Sequence, residues 1–240
     1  MTTHEEEHYY VSIKPTLMKE FEKTESYLKN VLKQYFDKSK IGLLLKETRA
    51  GYEDLLPQLP YVGGEENVLT DGLIGAAWCV PLFRGLEREG LSLREMAKIT
   101  YEKKEADVES KSLEKKRRVR EFYFSPAMRD VEMKRARDSQ SGKYPGDWVE
   151  EYVDGDGETF DFGIDFTECA LCKFFEPRDA MKYVPVFCIG DYATYRAFGI
   201  GFRRTQTIPN GAPFCDFRFK KDWKTVRGWP PEELDEKISF

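Results

Sequence analysis

The chain has 240 residues, 40% hydrophobic, 14% aromatic and 34% charged, with a formal net charge of −5. That length supports a sizeable core, and the acidic balance offers no global electrostatic case for nucleic acid or an anionic membrane as partner. The longest apolar stretches, near Leu73–Phe83 and Val184–Ile189, are too short and interrupted to span a bilayer.

Met1 to Glu7 carries three glutamates and no apolar run of the signal-peptide kind, so a cytoplasmic location is expected. Residues 1–13 read as a tail. From Pro15 to Phe36, the apolar residues Met18, Phe21, Leu28, Val31, Leu32, Tyr35 and Phe36 fall mostly three or four apart, the period of an amphipathic helix. A second helix follows Lys40 and ends before Pro57, Pro60 and the Gly63-Gly64 pair. The stretch "LTDGLIGAAWCVPLFRGLEREG" predicts a buried helix, kinked or restarted at Pro81, with Cys79 as a small core residue. Ser92 followed by Glu95 predicts a capping box. Residues 102–140 are dense in charge of both signs and read as a solvated helix face.

After the "SGKYPG" loop the pattern changes. "WVEEYVDGDGETFDFGIDF" predicts two strands around a "DGDG" turn. Asp154 and Asp156 there lack the remaining ligands of a calcium loop. "TECALCKFFEPRDAMKY" predicts a helix with Thr167 as N-cap. "VPVFCIGDYATYRAFG" fits either a strand over Val186–Ile189 or a helix from Asp191. "RRTQTIPNGAPFCDFRFK" predicts a hairpin at Asn210-Gly211, and the last residues form a tail that can pack through Trp223 and Trp229. The order argues for an α+β fold in one domain, 1–240. A mainly helical half, 14–140, would pack on a small mixed or antiparallel sheet formed by the half at 141–240.

Chemistry concentrates in that second half. The histidines are His4 and His8, so acid–base work in the body falls to carboxylates, thiols, tyrosines, lysines or a metal-bound water. Cys169 and Cys172 are spaced C-x2-C, Cys188 follows after fifteen residues and Cys215 after twenty-six more. Four clustered cysteines suit a shared site, and zinc, iron or an iron–sulfur cluster is the cofactor such a set would hold. Thioredoxin-type redox chemistry ranks lower, because no parallel β partner is evident.

On the hairpin's second strand Cys215, Phe217 and Phe219 share a face. A two-residue Asn-Gly turn would set Gln206 opposite Cys215 and put Arg204 on the thiol's face. A longer loop would set Thr207 opposite and put Arg203 there instead. Either arginine could lower the thiol's pKa or grip a substrate carboxylate.

Glu168-Cys169, then Cys188-Ile-Gly-Asp191, then Arg204-Thr205-Gln-Thr207, then Gly211 and Cys215-Asp216-Phe217-Arg218-Phe219, resembles the L-2-amino-thiazoline-4-carboxylic acid hydrolase family. "DGLIGAAWCVPLFRGLEREGLS" looks like that family's central helix, and the likeness spans most of residues 60–220. The resemblance implies ring-opening hydrolysis of a thiazoline or related cyclic amidine or imine, on a small substrate bearing a carboxylate. Cys188 or Cys215 would then be nucleophile or metal ligand, and Asp191 and Asp216 the proton-transfer candidates. Arg204 would hold the carboxylate, with Arg203, Thr205 and Thr207 beside it. A more distant likeness to 4-vinyl reductase-type ligand-binding domains implies the alternative: a non-catalytic ligand or metal module whose cysteines hold a structural or sensing ion.

Overall fold

The computed structural model describes residues 9–238 and residue 240; His4 and His8 lie outside them. The chain divides into two compact units, one of residues 1–96 with 144–146, the other of residues 97–143 with 147–240. Among the described residues, no helix is long and apolar enough to cross a membrane.

The first unit is helical. It holds α1 (Tyr9–Ser12), α2 (Lys14–Val31), α3 (Lys38–Leu55) and α4 (Thr70–Arg88). Asp37 caps α3 by accepting from the Lys40 N–H at 2.9 Å. The apolar stripe of α2 buries Leu17, Met18, Phe21 and Leu28, and Phe21 meets Tyr52 of α3 and Trp78 of α4. α4 runs unbroken through Pro81, whose ring rests on Gly51 of α3, where a Cβ would come within 2.7 Å. Cys79 is 1% exposed, a core residue as expected.

The second unit is α+β. Helix α5 (Leu93–Glu109) belongs to it from Ala97 on, and its first turn, in the first unit, carries the predicted capping box: Ser92 N–H and Oγ both donate to Glu95, and the Glu95 N–H returns to Ser92 Oγ. Helices α6 (Leu113–Tyr123) and α7 (Pro126–Ser139) are capped by Ser112 and Ser125. Four strands then form an antiparallel sheet: β1 (Val149–Asp154), β2 (Phe162–Glu168), β3 (Phe202–Arg203) and β4 (Cys215–Phe219), in the order β1-β2-β4-β3. Between β2 and β3 lie the short helix α8 (Ala170–Phe175), α9 (Val184–Cys188) and α10 (Gly190–Phe198).

The register decides what the buried face carries. Phe166 pairs with Glu150 and Cys215, Ile164 with Tyr152 and Phe217, and Phe162 with Asp154 and Phe219, while Phe202 of β3 pairs with Phe219. These residues share one face, because side chains alternate along a strand. Tyr123 of α6 and Tyr195 of α10 pack their rings onto Phe219 from above, each 5.1 Å away. The tail seals the β3 edge: Phe202 N–H donates to Thr225 Oγ1 at 2.8 Å, which donates on to the Ile200 carbonyl at 2.5 Å.

One local expectation is corrected and two open alternatives are decided, the helix near Asp191 forming as Gly190–Phe198. Thr167 does not cap the helix; it sits in β2, beside the irregularity between Val149 and Glu150, and Cys169 is the N-cap of α8. Val186–Ile189 is not a strand, since α9 covers most of it. The hairpin has no two-residue turn. Ile208–Asn210 forms a 3-10 turn ending at Gly211, whose φ of 91° is left-handed. Asp216 stops the pairing early by accepting the N–H groups of Thr205 and Gln206 at 2.9 and 2.8 Å.

Candidate functional site

Although the turn is longer than two residues, the pairing of Phe202 with Phe219 and Arg203 with Arg218 keeps the first of the two registers. Arg204 therefore turns to the face of Cys215 and Phe217, and its guanidinium lies 5.0 Å from the Phe217 ring centre. Arg203 goes to the other face and stacks at 4.2 Å on Trp223.

Arg204 is 2% exposed and already committed. Its Nε and Nη2 donate to Glu236 of the tail, Nη1 donates to Asp191 Oδ2 at 2.8 Å, and Nη2 also donates to the Cys188 carbonyl. Four of its five N–H groups are thus used inside the protein. A buried guanidinium facing two carboxylates stays charged. Burial is the largest single effect and lowers its pKa, but the charges of Glu236 and Asp191, with lesser contributions, together outweigh it and the net shift is upward.

Asp191 stands in the first turn of α10, where the helix dipole and Arg204 both favour the carboxylate. Loss of solvation nevertheless dominates and raises its pKa. Its side chain keeps 38% of its surface exposed. A carboxyl that is accessible yet crowded enough to be desolvated lies in a recess, an arrangement suited to proton transfer.

The thiols divide into one whose pKa is lowered and three whose pKa is raised. Burial pushes Cys188 well up, opposed by Arg204, and pushes Cys215 up to about 12, although its sulfur accepts the Ile208 N–H at 3.2 Å. Cys172 is raised first by its hydrogen bond with Cys169 and then by burial. Cys169 alone among the four is lowered. The Cys172 thiol is the largest cause, burial opposes it, and the N–H dipoles of Cys172 and Leu171 and the Trp148 side chain add to the lowering. Cys169 is the N-cap residue of α8, although its side chain makes no capping hydrogen bond there. Charge on Cys169 is felt by Cys172, Cys188 and Cys215.

The remaining sequence candidates have structural partners. Asp216 Oδ2 accepts from Thr205 Oγ1 at 2.6 Å, and Oδ1 holds the two backbone N–H groups of the loop. Thr207 is 1% exposed and its hydroxyl accepts from Asn210 Nδ2 at 2.9 Å. Sequence reasoning passed over Glu236, Lys104 and the role of Cys169. The last was legible in principle, since the first cysteine of a C-x2-C pair is a natural helix N-cap.

Among the described residues, no group of three or more His, Cys, Asp or Glu is arranged to hold a metal ion. The donor set around Cys169, Cys172, Cys188 and Cys215 includes the Arg204 guanidinium, a poor neighbour for a cation. No step below runs through zinc, iron or an iron–sulfur cluster.

The family model for L-2-amino-thiazoline-4-carboxylic acid hydrolase matches residues 73–219, more than half of the chain. The chain belongs to this hydrolase family. The match takes in Cys169, Cys172, Cys188, Asp191, Arg204 and Cys215, and ends at the last residue of β4, short of Glu236. Searches of curated proteins and of solved structures returned no match.

Proposed function

We propose that the protein is a hydrolase that opens a small cyclic amidine or imine, a thiazoline-like ring carrying a carboxylate, at a C–N or C–S bond. The observation that carries this reading is Cys169, whose thiol pKa is lowered first by its hydrogen bond with Cys172, in a unit that also presents the part-exposed carboxyl of Asp191. The family's name describes the same class of chemistry.

In this reading Cys169 sulfur attacks the ring carbon between sulfur and nitrogen. The electron pair of the C=N bond moves to nitrogen, which takes a proton from solvent, and one proton returns to solvent when the product carbonyl forms in the last step. As the resulting tetrahedral centre collapses, a ring bond breaks, and the departing sulfur or nitrogen is protonated by Asp191, whose raised pKa makes it a competent acid. Water then adds to the Cys169-bound carbon, giving its proton to the Asp191 carboxylate, and Cys169 leaves as thiolate. The sum is substrate plus one water. Arg204 holds Asp191 in place and stabilises its ionised form between the two steps. Cys188 and Cys215, the nucleophiles expected from the sequence, are held as thiols by burial.

The test is hydrolysis of 2-amino-thiazoline-4-carboxylate by purified protein, with the open-chain product followed by mass spectrometry. Stopped-turnover samples should carry a mass increment on Cys169. A fully active Cys169→Ala variant would reject the nucleophile assignment.

A further inference from the structure

A substrate carboxylate needs a cation, and Arg204 is spent. Its guanidinium is paired with Asp191 and Glu236, so that trio offers no net positive charge to a second carboxylate. Arg203 lies on the opposite face of the sheet.

Lys104 is differently placed. Helix α5 carries it to the junction of α9 and α10, where its stem lies across Gly190, the residue before Asp191. A Cβ on Gly190 would come within 3.2 Å of Lys104 Cγ, so the absence of a side chain there makes room for the lysine. The ammonium lies 5.8 Å from the centre of the Phe187 ring, and its charge is felt by Asp191. Among the described residues it donates no hydrogen bond and joins no ion pair. An ammonium has three donors, and a ring face satisfies none of them strongly.

Resting on the hydrolase reading, we propose that Lys104 binds the carboxylate of the substrate beside Asp191. The Phe187 ring steadies the ammonium, and the α5 helix fixes where the anion docks. Lys104 thus supplies the positive charge that the Arg204 trio, spent on its own carboxylates, does not offer. A bound carboxylate is then compensated by hydrogen bonds from a cation that has no competing partner.

The test is calorimetric binding of thiazolidine-4-carboxylic acid, a saturated ring without the reactive C=N bond, against its carboxamide. Wild-type protein should prefer the acid by roughly tenfold or more, the scale of one charge-assisted hydrogen bond. Lys104→Met should erase that preference, and Lys104→Arg should restore most of it. Gly190→Ala, which crowds the stem without touching the charge, should weaken the acid and spare the amide. Retention of the preference in Lys104→Met, or its absence in the wild type, would overturn the assignment. Turnover is measured in parallel: a wild type that binds with the preference but hydrolyses nothing removes the hydrolase reading and leaves the carboxylate site standing.

Discussion

Two arginines in the second unit are each held between two carboxylates, and only one of these clusters looks functional. Arg204 lies between Asp191 and Glu236. Arg135 of α7 donates Nε and Nη2 to Glu150 of β1 and lies 2.6 Å from Glu132 Oε2. The second cluster is closed: Glu132 is 3% and Glu150 1% exposed, and its surroundings are the phenols of Tyr123, Tyr152 and Tyr195. Glu132 Oε2 and the Tyr152 hydroxyl have no aligned hydrogen bond among the described residues. The first cluster has an open carboxyl and thiols that share its field. The difference teaches that charge pairing sets up a reactive group only where a substrate can reach it; elsewhere the same triad is a costly piece of core.

The largest expected break in the comparison is chemical. Cys169→Ala should lower turnover by roughly a thousandfold or more with an unchanged circular dichroism spectrum, as expected for loss of a covalent nucleophile. No substitution around Arg135 should do this without unfolding the protein.

Next come the arginines. Arg204→Met and Arg135→Met each strand buried carboxylates and should each destabilise by about 3–5 kcal/mol in denaturant unfolding. Only Arg204→Met should also shift the pH profile of turnover, because it removes a group that favours the Asp191 carboxylate. Equal profiles in the two variants would erase the distinction drawn between the clusters.

The closed cluster should reveal itself through stability. Burial raises Glu132 to about 7 from the ordinary 4.5. The native state therefore keeps a proton that the unfolded chain loses above pH 4.5. Stability should fall as pH rises from about 4.5 through about 7, by up to about 3 kcal/mol. Unfolding at pH 5 and pH 8 should show this fall in wild type and a smaller one in Glu132→Gln.

The smallest effect belongs to Asp216. Asp216→Ala should cost about 1–2 kcal/mol through the loop hydrogen bonds it loses and reduce turnover by less than roughly tenfold. A loss comparable to that of Cys169→Ala would return Asp216 to the chemistry.

What the sequence made legible follows the range of the interactions. Helices α2 to α5 announce themselves through apolar period and caps, and the Ser92–Glu95 box forms as read. The β1–β2 pair is equally local, and alternation alone placed Cys215 with the phenylalanines. Val186–Ile189 stayed open between strand and helix because β-branched and aromatic residues in a short apolar run fit either. The Thr167 cap misled because strand β2 runs two residues further than its alternation suggested. The Arg204–Glu236 pair was beyond reach: thirty-two residues separate the partners, and nothing in "EELDEKISF" distinguishes one glutamate from the next. Lys104 was hidden for a similar reason, as one of many lysines on a charged helix until Gly190 was found beneath its stem.

Glu236 also has a consequence for how the protein can be altered. The thiols and Asp191 sit within the stretch common to the family, whereas this carboxylate arrives from a tail outside it. The proton affinity of the acid is thus partly governed from a segment with no thiol of its own. Exchanging residues 231–238 for another acidic, neutral or basic segment offers a tuning knob. On the hydrolase reading, such exchanges should move the pH profile of turnover through the field at Asp191.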